Sequence, residues 1–320
     1  MSAFVPLLGA KLLPPDSGVF HLVRPRLHDR LRAGLSRRCT ALLAGPGYGK
    51  TSLAARFLRE WEGDSVWLSL DASDGDPWLL FRYLARGLRE HAPEFGSRTE
   101  EVWQDLRSRP EEVERLCDLF ISDAEESLGA PFLLVLDDVH HLEASPAATR
   151  ALRRLLAYLP GTLHLILIGR SLPEVGLKTL AAEGAVDLLS GEDLRFTREE
   201  TQALLRDTFA MPVSQETAEK IHARTRGWAT ALQLLRQTAR LTQPSLDLPE
   251  QVFIRTESEI FDYFTEEVLA AESDATREFL LATSIPPVIH PDLLSDVLPH
   301  LDVRGILALL LKRKLFVSPL

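Results

Sequence analysis

Only two cysteines occur in 320 residues. Cys39 and Cys117 lie far apart and have no His or Cys at metal-ligand spacing, so neither a disulfide framework nor a zinc site is expected. Long apolar runs are lacking too. The longest, Phe132 to Leu136 and Ile306 to Leu311, fall well short of the ~18 to 20 residues that a membrane-spanning helix needs. Near the N-terminus Pro6, Lys11, Pro14 and Pro15 interrupt the apolar stretch, so no signal-peptide core is expected and the expected compartment is the cytosol. Positive charge is in deficit: 36 Lys plus Arg against 46 Asp plus Glu give a net charge of −10, the wrong sign for a surface that wraps nucleic-acid phosphates. No low-complexity tract or internal repeat is evident. The remaining composition, 45% hydrophobic and 26% charged, is ordinary for a folded chain, and the length suggests two domains or three small ones.

From Thr40 to Leu189 short apolar runs alternate with helical patterns, which predicts an α/β fold with a parallel sheet covered by helices on both faces. The expected strands are Thr40 to Ala44, Ser65 to Leu70, Phe132 to Leu136, Leu163 to Ile168 and Val186 to Leu189, rich in Leu, Val and Ile as buried parallel strands require. Helices are expected through Leu53 and Phe57, through Val113, Leu116, Cys117 and Phe120, and after the Ser145–Pro146 cap. That stripe makes Cys117 a core residue. After Leu194 strand signals stop, and Thr197 to Glu200 form a capping box that opens a helical region. Ser214 caps another helix, a third runs from Trp228 to about Leu241, and Gln243, Pro244, Ser245 and Pro249 mark a linker. The expected domains are residues 1–196, 197–243 and 252–320. The last ends on Leu315, Phe316 and Val317, which reads as a strand just begun.

Between the first strand and the helix after it lies Ala44, Gly45, Pro46, Gly47, Tyr48, Gly49, Lys50, Thr51, Ser52, the pattern of a P-loop. Glycines let backbone N–H groups curl around an anion, Lys50 reaches the β and γ phosphates, and Thr51 offers a hydroxyl to Mg²⁺. Ala44 replaces the usual first glycine. Phe132 to Asp138 is an apolar strand ending in two carboxylates, as a Walker B requires: Asp137 for the Mg²⁺ shell, Asp138 to orient or deprotonate an attacking water. Arg170, after the fourth strand, places a cation at the same sheet edge and could sense the γ-phosphate. His140 and His141 follow the acids closely; a local hydrogen-bonding role is expected in preference to metal ligation. Arg24, Arg26, Arg30, Arg32, Arg37 and Arg38 flank a Leu27, Leu31, Leu35 stripe, so most of them are expected on the solvated face of an amphipathic helix and not on nucleic acid.

These residues resemble a known group, the MalT-like large ATP-dependent LuxR-type transcriptional regulators within the STAND class of P-loop ATPases. Lys11, Leu12, Pro14, Pro15 and Val23 to Leu27 look like that family's opening, and Gly47 to Thr51 like its P-loop. Asp137 to His140 is similar to its Walker B extension, and Gly227, Trp228, Ala229, Thr230, Ala231, Leu232, Gln233 to its helical-domain motif. Asp262, Tyr263, Glu267 to Leu269 and Phe279 to Leu281 resemble the start of its winged-helix domain, which would be incomplete here. The resemblance implies a nucleotide-binding domain, a helical domain and a winged-helix domain around ADP at rest, with inducer and ATP opening a form that self-associates and slow Mg²⁺-dependent hydrolysis resetting it. It also implies that Val23 and Arg24 lie against adenine and that Gly227, Trp228 and Ala229 close the pocket; Ala229 stands where many related ATPases carry proline. Members usually continue into a sensor domain and a C-terminal helix-turn-helix, which would meet inducer and DNA; neither is expected in this chain. Two other readings stay open: a P-loop kinase acting on a small molecule, for which no acceptor pocket is evident, and a scaffold that binds nucleotide without turnover.

Overall fold

The computed structural model describes residues 6–15, 22–96, 112–129, 131–240, 248–267, 269, 272–284, 286, 288–313 and 317. By compactness the chain divides into two units, Met1–Leu43 with Lys50–Leu194, and Ala44–Gly49 with Arg195–Leu320. Leu315, Phe316 and the linker residues Gln243, Pro244 and Ser245 lie outside the described residues.

The first unit is built on five parallel strands: β1 (Cys39–Leu43), β2 (Ser65–Ser69), β3 (Phe132–Asp137), β4 (Leu163–Gly169) and β5 (Val186–Ser190). Each lies within a residue or so of its expected position. Their order is β2-β3-β4-β1-β5, so β4 separates the strand that leads into the P-loop from the strand that carries the paired acids. Every residue of β1, β3 and β4 is buried, which is why their sequences read as continuous apolar runs and not as alternation.

Helices α1 (Pro25–Gly34), α2 (Lys50–Arg59), α3 (Pro77–Leu88), α4 (Val113–Ser127), α5 (Pro146–Tyr158), α6 (Leu177–Ala182) and the short α7 (Gly191–Leu194) complete the unit. On one sheet face Leu134, Leu136, Leu165 and Leu167 join a core with Phe81 and Leu84 of α3, Phe120 of α4 and Leu155 of α5. Cys117 is fully buried there. Leu42, Leu133, Val135 and Ile168 are buried as well, with α1 and α2 packed against β1 and β4. Helix starts follow local chemistry: the Asp76 carboxylate accepts from the Trp78 amide at 2.9 Å, and the Ser145 hydroxyl accepts from Ala148 at 3.1 Å, each one residue ahead of a proline.

The arginines around α1 depart in part from the sequence reading. Arg26, Arg32, Arg37 and Arg38 are exposed as expected, but Arg24 is buried and Arg30 half-buried. Arg24 donates to the Leu194 carbonyl at 2.9 Å, and Arg30 pairs with Asp187 at 3.1 Å and Asp193 at 2.6 Å. These cations hold β5 and α7 against α1, a task visible only once residues about 160 apart in the chain are neighbours.

In the second unit, α8 (Arg198–Ala203) begins at the Thr197 and Glu200 capping box, and α9 (Gln215–Thr225) at Ser214. After them come α10 (Ala229–Arg240), α11 (Glu250–Glu267), α12 (Asp274–Ala282), α13 (Pro291–Val297) and α14 (Val303–Arg313). Among the described residues no strand follows β5. Phe279, Leu294, Leu298, Val303 and Leu310 form the core of α12 to α14, with Phe264 and Val317 packed against it.

Candidate functional site

In the first unit the candidate groups gather at the C-terminal ends of β3 and β4, where parallel α/β sheets bind ligands. Asp137 is the last residue of β3 and only 3% exposed. Its Oδ1 accepts from the Asp138 amide at 3.0 Å and from the Thr51 hydroxyl at 3.2 Å. Burial, then the Asp138 charge, pushes the Asp137 carboxyl up to about 7 against the relief given by the Thr51 bond. Lys50 opens α2 and is buried; desolvation brings its ammonium down to about 8 although Asp138 and Asp137 favour the charge, and Arg170 adds to the lowering. Burial thus disfavours the charged form of both the Asp137 carboxyl and the Lys50 ammonium.

Asp138 adopts a left-handed backbone conformation, φ 58° and ψ 39°, at the turn out of β3. Such a conformation is uncommon outside glycine, asparagine and aspartate, and it turns the chain sharply after the strand. His140 Nδ1 lies 3.7 Å from Asp138 Oδ1, too far for a hydrogen bond. That nitrogen is buried with no hydrogen-bond partner, so the local hydrogen bonding expected of His140 does not run through Nδ1. Burial takes the His140 imidazole down to about 4, so it faces Asp138 as a neutral ring, stacked on His141 with centroids 4.4 Å apart. Among the described residues no group of three or more His, Cys, Asp or Glu could hold a metal. At Gly169 a Cβ would come within 2.8 Å of the Ser171 carbonyl and 2.9 Å of Val139; the missing side chain lets β4 deliver Arg170 close beside the turn after Asp138.

The loop Ala44–Gly49 belongs to the second unit. Gly47 and Gly49 have φ of +74° and +75°, values that other residues rarely adopt. The Pro46 carbonyl accepts from Trp228 Nε1 at 3.3 Å, and the Gly47 carbonyl accepts from both the amide and the hydroxyl of Thr230 at 3.1 Å. Arg195 donates to the Tyr48 hydroxyl at 3.1 Å. Trp228 packs near Tyr48 and stacks on Phe264 with centroids 5.1 Å apart and planes 9° apart. Gly227 passes so close to the backbone of Phe196 that a Cβ would collide with it, and its carbonyl accepts from the Phe196 amide at 2.8 Å.

The sequence candidates thus fall into two sets. Lys50, Thr51, Asp137, Asp138 and Arg170 share the sheet edge of the first unit, with Ser52 half-buried in the first turn of α2. Gly45 to Gly49 lie with Gly227, Trp228 and Ala229 in the second, and Lys50 follows Gly49 directly in the chain. Val23 is exposed at 40% while Arg24 is turned to the Leu194 carbonyl. The sequence reading missed Thr230 and Arg195 as partners of the loop and Phe264 as the partner of Trp228. Thr230 lay inside the quoted motif, but only the fold shows that it faces Gly47.

Residues 33–173 match an AAA domain family, and residues 265–320 match the MalT winged helix domain. The HTH-type transcriptional regulator MalT of Yersinia enterocolitica is 30% identical over 280 residues, covering 87% of this chain and 30% of that protein. The chain therefore spans about a third of the length of the curated relatives it matches. Among solved structures, the Walker-type ATPase of Pyrococcus abyssi covers 91% of this chain and 89% of its own, with a TM-score of 0.53 at 17% identity. The STAND protein with a tetratricopeptide repeat sensor from Pyrococcus horikoshii covers 94% of this chain and 40% of its own, with a TM-score of 0.50 at 16% identity. With an AAA domain followed by a MalT winged helix domain, and with similarity to MalT over most of its length, the chain is MalT-like and built on a P-loop ATPase fold.

Proposed function

We propose that this chain binds ATP and ADP with Mg²⁺ and acts as the slowly hydrolysing nucleotide switch of a transcription regulator. The observation that carries the reading is the meeting of Thr51 with Asp137, which sets a P-loop hydroxyl beside the acid at the end of β3. The residues fit Mg²⁺: one buried carboxylate without a full counter-charge and one hydroxyl, leaving the other positions to phosphate oxygens and water as this ion prefers. Bound there, Mg²⁺ would neutralise charge building on the β and γ phosphates. Backbone amides of the loop Gly45–Gly49 and the start of α2 receive the phosphates, and an anion there favours the protonated form of Lys50. Asp138 accepts the proton of the attacking water, with His140 beside it, and Arg170 answers the γ-phosphate charge. Val23, Arg24, Gly227, Trp228 and Ala229 are the proposed base-side contacts.

In domain terms we assign nucleotide binding to residues 1–196, a helical domain to 197–243 and a winged-helix domain to 252–320. The regulators it resembles are named HTH-type transcriptional regulators, and a role in inducer-controlled transcription, with self-association of the ATP form in the cytoplasm, is carried over as part of the proposal. No described helix is long and apolar enough to cross a membrane. The test is equilibrium binding of labelled ADP and ATP with and without Mg²⁺, together with single-turnover hydrolysis. Absence of saturable binding by the folded chain would overturn the proposal.

A further inference from the structure

We infer that Thr230 is a positioning residue of the phosphate-binding loop, setting the direction of the loop amides without touching the nucleotide. The inference deepens the nucleotide-binding reading above and rests on it.

The Gly47 carbonyl receives two donors from one residue, the Thr230 amide and the Thr230 hydroxyl, both at 3.1 Å. Thr230 stands in the first turn of α10, where a backbone N–H has no acceptor within its own helix. The loop carbonyl therefore caps the helix while the helix holds the loop. A trans peptide is planar, so the carbonyl of one residue and the amide of the next point in opposite directions. Fixing the Gly47 carbonyl toward Thr230 turns the Tyr48 amide to the other side of the loop. The bond from Trp228 Nε1 to the Pro46 carbonyl at 3.3 Å does the same for the Gly47 amide. Two successive amides are thus aimed together before any anion arrives, which is the arrangement of an anion-binding nest. The φ of +74° at Gly47 completes that geometry, and a Cβ there would press into Trp228 at 2.9 Å and into the Thr230 side chain. Thr230 consequently fixes both the direction of the donors and the residue type that can stand opposite it.

The experiment compares the parent chain with Thr230→Val, which keeps shape and helix amide but removes the hydroxyl donor, and with Thr230→Ser, which restores it. Dissociation constants are measured for Mg·ADP and for AMP, which lacks the β-phosphate, and melting temperatures are taken without nucleotide. Loss of one neutral hydrogen bond corresponds to roughly a 5-fold effect. Thr230→Val should weaken Mg·ADP about 5-fold and leave AMP within about 2-fold, so that the preference for ADP over AMP shrinks, and Thr230→Ser should recover the parental value. A parent that binds Mg·ADP while Thr230→Val binds it equally well overturns the inference and leaves the nucleotide reading standing. Equal weakening of ADP and AMP, or a loss that Thr230→Ser fails to recover, also overturns it, because a general packing defect would act that way. A folded parent that binds neither nucleotide removes the nucleotide reading and this inference with it.

Discussion

Thr51 and Asp137 are 86 positions apart, yet the Thr51 hydroxyl donates to Asp137 Oδ1 at 3.2 Å. That is longer than the ~2.7 to 2.8 Å usual for a hydroxyl bonded to oxygen, and the acid is buried and pushed up toward neutrality. Under the proposed function the two oxygens would share Mg²⁺. Thr51→Val and Asp137→Asn should each raise the Mg²⁺ concentration needed for half-maximal hydrolysis by about 10-fold or more, while binding of Mg-free nucleotide changes little. A Mg²⁺ titration of turnover checks this, and an unshifted midpoint in both variants would remove the metal assignment.

Lys50 supplies a second prediction through linkage. At nucleotide a hundredfold above its dissociation constant the stabilisation is ~2.7 kcal/mol, which for a chain of this size shifts the melting temperature by ~4 °C. Lys50→Ala should lose most of that shift, and because it also removes a buried, poorly solvated amine it should melt no lower than the parent when nucleotide is absent. Thermal scans with and without Mg·ADP measure both.

Binding and turnover should part at Asp138. Asp138→Asn retains the shape of the turn and the nucleotide but removes the proton acceptor, so single-turnover hydrolysis should fall by ~10² to 10⁴ with little change in affinity. His140→Ala should lower the same rate by a smaller factor, since the neutral imidazole lies beside Asp138 at 3.7 Å without bonding to it. Parental rates in both variants would be incompatible with these roles.

His164 gives a pH dependence away from the candidate site. It is buried in β4, with Nε2 3.0 Å from the Thr40 hydroxyl and Nδ1 2.9 Å from the Arg37 carbonyl, and burial lowers its pKa. The unfolded chain takes up a proton near the ordinary value of 6.5 while the folded chain resists it. Its contribution is therefore complete above about pH 6.5 and is lost as pH falls toward the lowered folded value. His164→Gln should be less stable than the parent at pH 7.5, with the gap narrowing at pH 5.5 by at most ~1.4 kcal/mol per pH unit. Denaturant unfolding at both values decides it; a constant gap would show that His164 does not titrate on unfolding.

Much of the architecture was open to sequence reasoning because its signals are local. The strands were legible as continuous Leu, Val and Ile runs, and the starts at Ser145, Thr197 and Ser214 as caps, since each depends on residues three or four apart. The P-loop and the paired acids were legible for the same reason. What escaped depends on contacts between distant segments. Arg24 and Arg30 sit in an ordinary amphipathic pattern, and nothing near them in sequence announces Leu194, Asp187 or Asp193. Nothing near Trp228 in sequence announces Phe264 or Pro46, the partners it meets in the fold. That His140 Nδ1 is buried without a hydrogen-bond partner is visible only in the fold. Thr230 carries no signal of its own, because its significance lies in a backbone carbonyl of another segment.

The buried amine of Lys50 has a chemical corollary. With its pKa near 8, about half of that side chain is unprotonated at pH 8, compared with roughly 0.3% for a surface lysine near 10.5. Only the unprotonated form attacks acylating reagents. A small amine-directed probe applied at that pH should therefore mark Lys50 out of proportion to its exposure, and a bound polyphosphate, by restoring the proton, should silence it. Labelling yield at this single position, read by mass spectrometry, would report occupancy of the loop without any engineered tag.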